Sequence, residues 1–214
     1  MRFAMLFVAA LPVGSLSSCS LCCPDKPSTA GFDMEDWIQV LDSEWKLSGD
    51  GILSSAQDPN GRLKGESWLL TKRDYTDFEL EIDYRITKGG NSGVFFRDPI
   101  SREQRLKADD GAKPAPWDAG YEANINNDHD KYPSGAIWAI AGAPPKLQKE
   151  DEWNHLKVKV QGQRVWTWLN GTLAVDGFEL PERSTSGAIG LQRHGGEQYK
   201  DKLVEFKNLS IREL

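Results

Sequence analysis

From Pro24 to Leu214 the sequence contains no cysteine; its three, Cys19, Cys22 and Cys23, stand close together near the N-terminus. A domain built from the remainder has no disulfide and no thiolate nucleophile or metal ligand. It must rest on its hydrophobic core, and a chain of 214 residues is long enough to bury one. Helical periodicity is also missing, because beyond the N-terminal segment no long stretch repeats its apolar residues at helical spacing. Basic charge is in deficit, with 26 Lys and Arg against 32 Asp and Glu and a formal net charge of −6. That balance argues against nucleic acid as a partner, since phosphate binding calls for a basic face. Simple solubility accounts for the acidic excess. From Pro24 onward the sequence has no His-Glu-x-x-His, EF-hand loop, cysteine cluster, P-loop, Gly-x-Ser-x-Gly or dinucleotide fingerprint. Internal repeats and low-complexity tracts are lacking as well.

The first residues read as a targeting segment. Arg2 is the one charge before Asp25, and Phe3 to Val13 is an apolar run broken by Pro12. At roughly ten residues it is too short to span a bilayer of ~30 Å, and with the small residues that follow it describes a secretory signal peptide over residues 1–18. Leu16-Ser17-Ser18-Cys19 resembles the bacterial lipobox, in which the cysteine is lipidated; the competing reading is an ordinary cleaved leader that contains a cysteine. Residues 19–30 then form a tether, with Pro24 to Ala30 polar and twice interrupted by proline, ahead of a domain over 31–214. The expected localisation is exported, periplasmic or at the cell surface, membrane-associated through the lipid alone.

Within the domain, strand signals recur. Phe78, Leu80, Ile82, Tyr84 and Ile86 alternate with Glu79, Glu81, Asp83 and Arg85, the pattern of an antiparallel strand with one wet face. Leu156, Val158 and Val160 alternate in the same way. Val165 to Leu169 returns after Gly162-Gln163, and Asn170-Gly171 supplies the φ > 0 positions of a type I′ hairpin. Further strands are expected at Trp45 to Ser54 (two short runs about a turn), Ser67 to Thr71, Gly93 to Arg97, Tyr121 to Ile125, Ala136 to Ile140, Leu173 to Val175, Ala188 to Leu191 and Leu203 to Glu213. Asp33 to Leu41 is expected as one short helix. About a dozen short strands without crossover helices predict an all-β, antiparallel sandwich or barrel. The charged stretch Asp98 to Ala119 is a long loop between two of these strands.

Three stretches in order resemble a known family: Gly90-Asn91-Ser92-Gly93-Val94-Phe95-Phe96-Arg97, Gly120-Tyr121-Glu122-Ala123-Asn124-Ile125, and Gly187-Ala188-Ile189-Gly190-Leu191-Gln192-Arg193-His194-Gly195. With Trp68 to Thr71, Glu152-Trp153-Asn154, Leu169-Asn170-Gly171 and Val204 to Ile211, they are similar to the 3-keto-disaccharide hydrolase domain family over nearly all of Gly31 to Leu214. The resemblance implies a concanavalin-A-like jelly roll of two antiparallel sheets. It also implies cleavage of a glycosidic bond in a sugar oxidised at C3. The chain departs from the family pattern at Asn124 and Asn127, where Gln and Asp often stand, and at Arg193, where Asp often stands.

That chemistry needs a base for the acidic C2 proton, a cation or donors for the enolate, and donors for hydroxyls. Glu122 is the first choice for base or metal ligand, against a wet-face carboxylate or a partner of Arg97. His194 is the second, as base, acid or ligand, against a histidine bonded to a carbonyl. His129 and His155 are read as surface residues. Arg97 is placed opposite the enolate or sugar hydroxyls, or else in an ion pair with Glu122 or Asp98. Asn91, Asn124 and Gln192 are amides suited to hydroxyls, with Asn91 also suited to the turn at Gly90. Trp138 and Trp117 are candidates to stack on a sugar face, as against core residues. A divalent metal ion is a candidate cofactor, with Glu122, Asp128 and His194 as its shell. Two other functions compete: a non-catalytic carbohydrate-binding module, and an interaction domain of a surface complex marked by a large apolar patch.

Overall fold

The computed structural model describes residues 29–40, 45–55, 67–100 and 119–214. The signal and lipidation readings, Cys19 included, fall outside these residues, as do tether residues 19–28 and Trp117; the last two residues of the expected tether, Thr29–Ala30, form a short strand paired with Ile211 and Ser210.

Two antiparallel sheets make up the described chain. The larger contains β1 (Thr29–Ala30), β3 (Trp45–Leu47), β4 (Leu53–Ser55), β6 (Phe78–Ile86), β9 (Asn154–Gln161), β10 (Arg164–Leu169), β11 (Thr172–Glu179) and β13 (Val204–Glu213). Its order is β11-β10-β9-β6-β13-β4-β3, with β1 also on β13. The smaller sheet runs β2 (Trp37–Val40), β5 (Ser67–Thr71), β12 (Ala188–Arg193), β7 (Ser92–Asp98) and β8 (Tyr121–Ile125). Every strand pair is antiparallel; of the sandwich or barrel expected from the strand pattern, the two-sheet sandwich that the family resemblance implies is what forms.

The sandwich closes because each sheet offers an apolar face. Phe78, Leu80, Ile82, Tyr84 and Ile86 of β6 meet Leu69, Val94, Phe96, Ala123, Ile189 and Leu191 of the smaller sheet in one buried cluster. Each such large side chain contributes about 1.5–3 kcal/mol when fully buried. The charged residues of β6 point outward and pair across strands, Arg85 with Glu205 at 2.6 Å and Glu79 with Arg212 at 2.7 Å. A second, smaller apolar cluster of Val40, Trp68, Leu70 and Phe95 lies on the other face of the smaller sheet, away from the core. That face carries the candidate site.

Two expected elements differ. Asp33 to Leu41 holds a single 3-10 turn, Met34–Asp36, capped by Asp33, and then strand β2. Trp37–Val40 pairs with β5, so sheet hydrogen bonds and burial of Trp37 override local helix preference. Ala136 to Ile140 is a tight turn, closed by an Ile137–Ala141 bridge with Ala139 at φ +58°.

Candidate functional site

Strands β7 and β8 build the centre of the site. Core residues Val94, Phe96, Tyr121 and Ala123 face inward, so alternation turns Gly93, Phe95, Glu122 and Asn124 to the outer face. Phe95 is the cross-strand partner of Glu122, and Gly93 that of Asn124. Glu122 does not stand straight off its strand. Its side chain leans back across Gly93, with Oε1 only 2.2 Å from where a Cβ at that position would be. On the opposite flank of Gly93 is Gln192, its register partner in β12. Gln192 is 5% exposed, its Oε1 is buried without a hydrogen-bond partner, and Trp68 follows as its partner in β5. Trp68 meets Phe95 edge-on at 4.1 Å over Gly190. The outer face is therefore an apolar floor of Trp68, Leu70 and Phe95 with a carboxylate and an amide set beside it.

A cleft of about 300 Å³ opens at Glu122, lined also by Phe95, Gly120, Tyr121, Trp138, Ala139 and Arg183. Trp138 is 41% exposed and is tied to the Glu122 strand through its backbone N–H, which donates to Glu122 O at 2.9 Å. Its ring is braced edge-on by His129 at 4.8 Å and Tyr132 at 5.6 Å. His129 Nδ1 accepts from Tyr132 N, which holds the histidine in that stack. The histidine read as a surface residue is thus part of the mounting of an exposed tryptophan.

The opposite wall is Arg183. Its Nη1 donates to Gly120 O at 3.0 Å, its guanidinium lies 5.8 Å from the Tyr121 ring centre, and its backbone N–H donates to Tyr121 Oη. No carboxylate pairs with it among the described residues. Sequence reading missed Arg183 because it lies in the polar, aperiodic stretch after β11, and the contact with Gly120 is tertiary.

Arg97, expected to supply the cation, does not face this cleft. It sits at a bulge in β7, where Ala188 pairs with Asp98 but Gly190 with Phe95, and its φ is +53°. The side chain is 1% exposed and turned to the sandwich end, where Nε donates to Thr76 O at 2.8 Å and Nη2 to Asp77 Oδ1 at 2.9 Å. Burial pushes its pKa down, and Asp77 opposes the shift. The extra residue of the bulge breaks the alternation of β7 and turns Arg97 away from the outer face. Its partner is Asp77, neither Glu122 nor Asp98.

Asn124 is 1% exposed, and its side-chain amide donates to Tyr132 O, so it braces the segment that carries Trp138. Asn91 accepts from the His194 backbone N–H through its own carbonyl at 3.3 Å. His194 follows β12, its Nδ1 2.7 Å from Gly195 O and its ring edge-on to Tyr199 at 4.9 Å. Opposite Asn91, it stands two residue steps, about 7 Å along the strand, beyond Gly93 and the Glu122 side chain. It does not line the cleft. Asp128 lies elsewhere, its Oδ2 against Gly89. Among the described residues no group of three His, Cys, Asp or Glu is placed to hold a metal ion, so Glu122, Asp128 and His194 do not converge into the proposed shell.

The architecture is a two-sheet sandwich of the lectin type, with a mixed polar and aromatic cleft on the outer face of its smaller sheet. Its sequence matches the 3-keto-α-glucoside-1,2-lyase-like domain over residues 26–212, and the chain belongs to that family. A curated relative, the 3-keto-disaccharide hydrolase of Bacteroides thetaiotaomicron, is 27% identical over 210 residues, covering 79% of this chain and 67% of the relative. Solved structures share the fold, among them the following two. The carbohydrate-binding module CBM66 from Bacillus subtilis superposes with a TM-score of 0.57 at 23% identity, covering 83% of this chain and 96% of the module. The winged bean acidic lectin, in complex with methyl-α-D-galactose, superposes at 0.62 and 12% identity, covering 87% and 97%.

Proposed function

We propose that this chain cleaves glycosidic bonds of 3-keto-sugars by elimination and hydration, with Glu122 as the base. The observation that carries this reading is the Glu122 carboxylate, laid over Gly93 beside an exposed tryptophan in a cleft whose other wall is an arginine. Family membership supports the substrate class. Trp138 offers a ring face for the sugar, and Gln192 stands beside Gly93 on the same face of the sheet. Glu122 takes the proton from C2, and the C–H pair becomes the enolate at C3, near the Arg183 guanidinium. The enolate collapses back to the ketone as a C1=C2 double bond forms and the C1–O bond breaks. The leaving oxygen carries off that electron pair and takes up the proton from Glu122. Water then adds its hydroxyl to C1 and a proton to C2, so the net change is hydrolysis.

The test is turnover of 3-keto and ordinary disaccharides by the wild type, Glu122→Gln and His194→Ala. Glu122→Gln is expected to keep the fold and lower turnover of the 3-keto substrate by about 10²–10⁴. A larger loss with His194→Ala than with Glu122→Gln would transfer the role of base to His194. A second reading is a non-catalytic carbohydrate-binding module, favoured by the braced, exposed Trp138. It predicts binding with no turnover by any variant.

The proposal extends to export with a lipid at Cys19, supported by Leu16-Ser17-Ser18-Cys19 behind a short apolar run. Cys19→Ala is expected to move the protein from the membrane to the soluble fraction; identical fractionation of both forms would leave an ordinary leader.

A further inference from the structure

Arg183 lines two cavities. One is the Glu122 cleft; beyond the arginine lies a larger depression of about 610 Å³, walled by Gln163, Glu182, Arg183, Ser184 and Thr185. Its wall is held in place from both sides. Gln163, in the turn between β9 and β10, accepts from Leu180 N at 2.7 Å through its backbone carbonyl, which fastens the turn to the segment after β11. Tyr121 Oη donates to Pro181 O at 2.5 Å and accepts from Arg183 N, which fastens that segment to β8.

The two cavities differ in chemistry. The first is rich in rings: Phe95, Tyr121 and Trp138. The second has none; its lining is an amide, a carboxylate, a guanidinium and two hydroxyls. Ser184 Oγ is engaged locally with the backbone of Ser186. The Gln163 side-chain carbonyl is buried with no hydrogen-bond partner, an arrangement that costs free energy unless something meets it. Amide, carboxylate and hydroxyl groups together offer donors and acceptors in the mix that a neutral polyol presents.

We propose that this second depression is a subsite for a further sugar unit, the one across the scissile bond from the ring held at Glu122. The inference rests on the carbohydrate reading above and deepens it. The reacting ring stacks in the aromatic cleft, its neighbour is held by hydroxyl hydrogen bonds to Gln163, Glu182 and Thr185, and the linkage passes over Arg183. Affinity then grows with the second unit.

The experiment compares a methyl 3-keto-glucoside, which fills the first cavity alone, with a 3-keto-disaccharide. Gln163→Ala and Thr185→Val are expected to raise the ratio of the disaccharide KM to the methyl glycoside KM by about three- to tenfold each, the share of a neutral hydrogen bond. An unchanged ratio, whether both KM values move together or neither moves, overturns the subsite. Where the wild type turns over neither substrate, the catalytic reading fails by itself, and calorimetry with unmodified mono- and disaccharides decides the subsite. The disaccharide is then expected to bind more tightly, with Gln163→Ala narrowing the preference by about three- to tenfold. Equal affinity of the wild type for both sugars overturns it.

Discussion

The Glu122 side chain occupies the space above Gly93: Oε1 stands 2.2 Å, and Cδ and Cγ 2.8 Å, from the point where a Cβ at residue 93 would be. Glycine at this position is the condition for the carboxylate's place in the cleft. Gly93→Ala is expected to push the carboxylate aside, because what it meets is the far end of a flexible side chain. The stability loss should be about 1 kcal/mol, at the low end of overpacking. Turnover of a 3-keto substrate should fall about 10²-fold, the cost of misplacing a reacting group by about 1 Å. In a Glu122→Ala background the stability penalty should vanish, since the two changes act through one contact. Denaturant melts of the four proteins measure this; an equal penalty in both backgrounds would mean that Gly93 is crowded by something else.

Strand and turn chemistry made much of the fold legible in the sequence. The alternation of Phe78 to Ile86 marks β6 to the residue, and Asn170-Gly171 adopts the paired positive φ values, +52° and +79°, that its hairpin requires. Glu122, Gln192 and Trp138 were singled out through the family resemblance and their residue chemistry; the structure puts Glu122 and Trp138 in one cleft and Gln192 on the same face of the sheet. Arg97 was misplaced because a bulge adds a residue that no composition signal announces. Arg183 and His129 were invisible because their roles come from contacts outside any strand period: Arg183 meets Tyr121 across a long stretch of chain, and His129 meets Trp138 across an irregular turn.

Arg97 belongs to the stability of the sandwich end. Removing it empties the space of a side chain that is 1% exposed and strips Asp77 of its cationic partner. Arg97→Ala should cost about 2–4 kcal/mol in chemical denaturation. Arg97→Lys should recover little, because a single ammonium cannot reproduce the fork that reaches both Thr76 O and Asp77. The folded fraction should keep its affinity for sugar. A stable Arg97→Ala protein that no longer binds sugar would return this residue to the site.

Arg193 presents the opposite case, a charge that the fold carries at a cost. It follows the parity of Ile189 and Leu191 to the inner side of β12, is 2% exposed, and has Nε and Nη2 buried without partners. Burial pushes its pKa from the ordinary arginine value down to about 10. The folded state therefore releases this proton before the unfolded state does. Its penalty is fully present below about pH 10 and shrinks as pH rises from there towards the range where an unfolded arginine titrates. Arg193→Met keeps most of the stem and removes the charge. It should stabilise the protein at neutral pH by about 1–3 kcal/mol, raising Tm by about 2–4 °C for each kcal/mol in a domain of this size. The gap between variant and wild type should narrow in melts carried from pH 9 to pH 11, roughly the span over which the folded-state arginine titrates. A variant less stable than the wild type at neutral pH would show that the guanidinium is compensated, and that residue 193 holds the sandwich together.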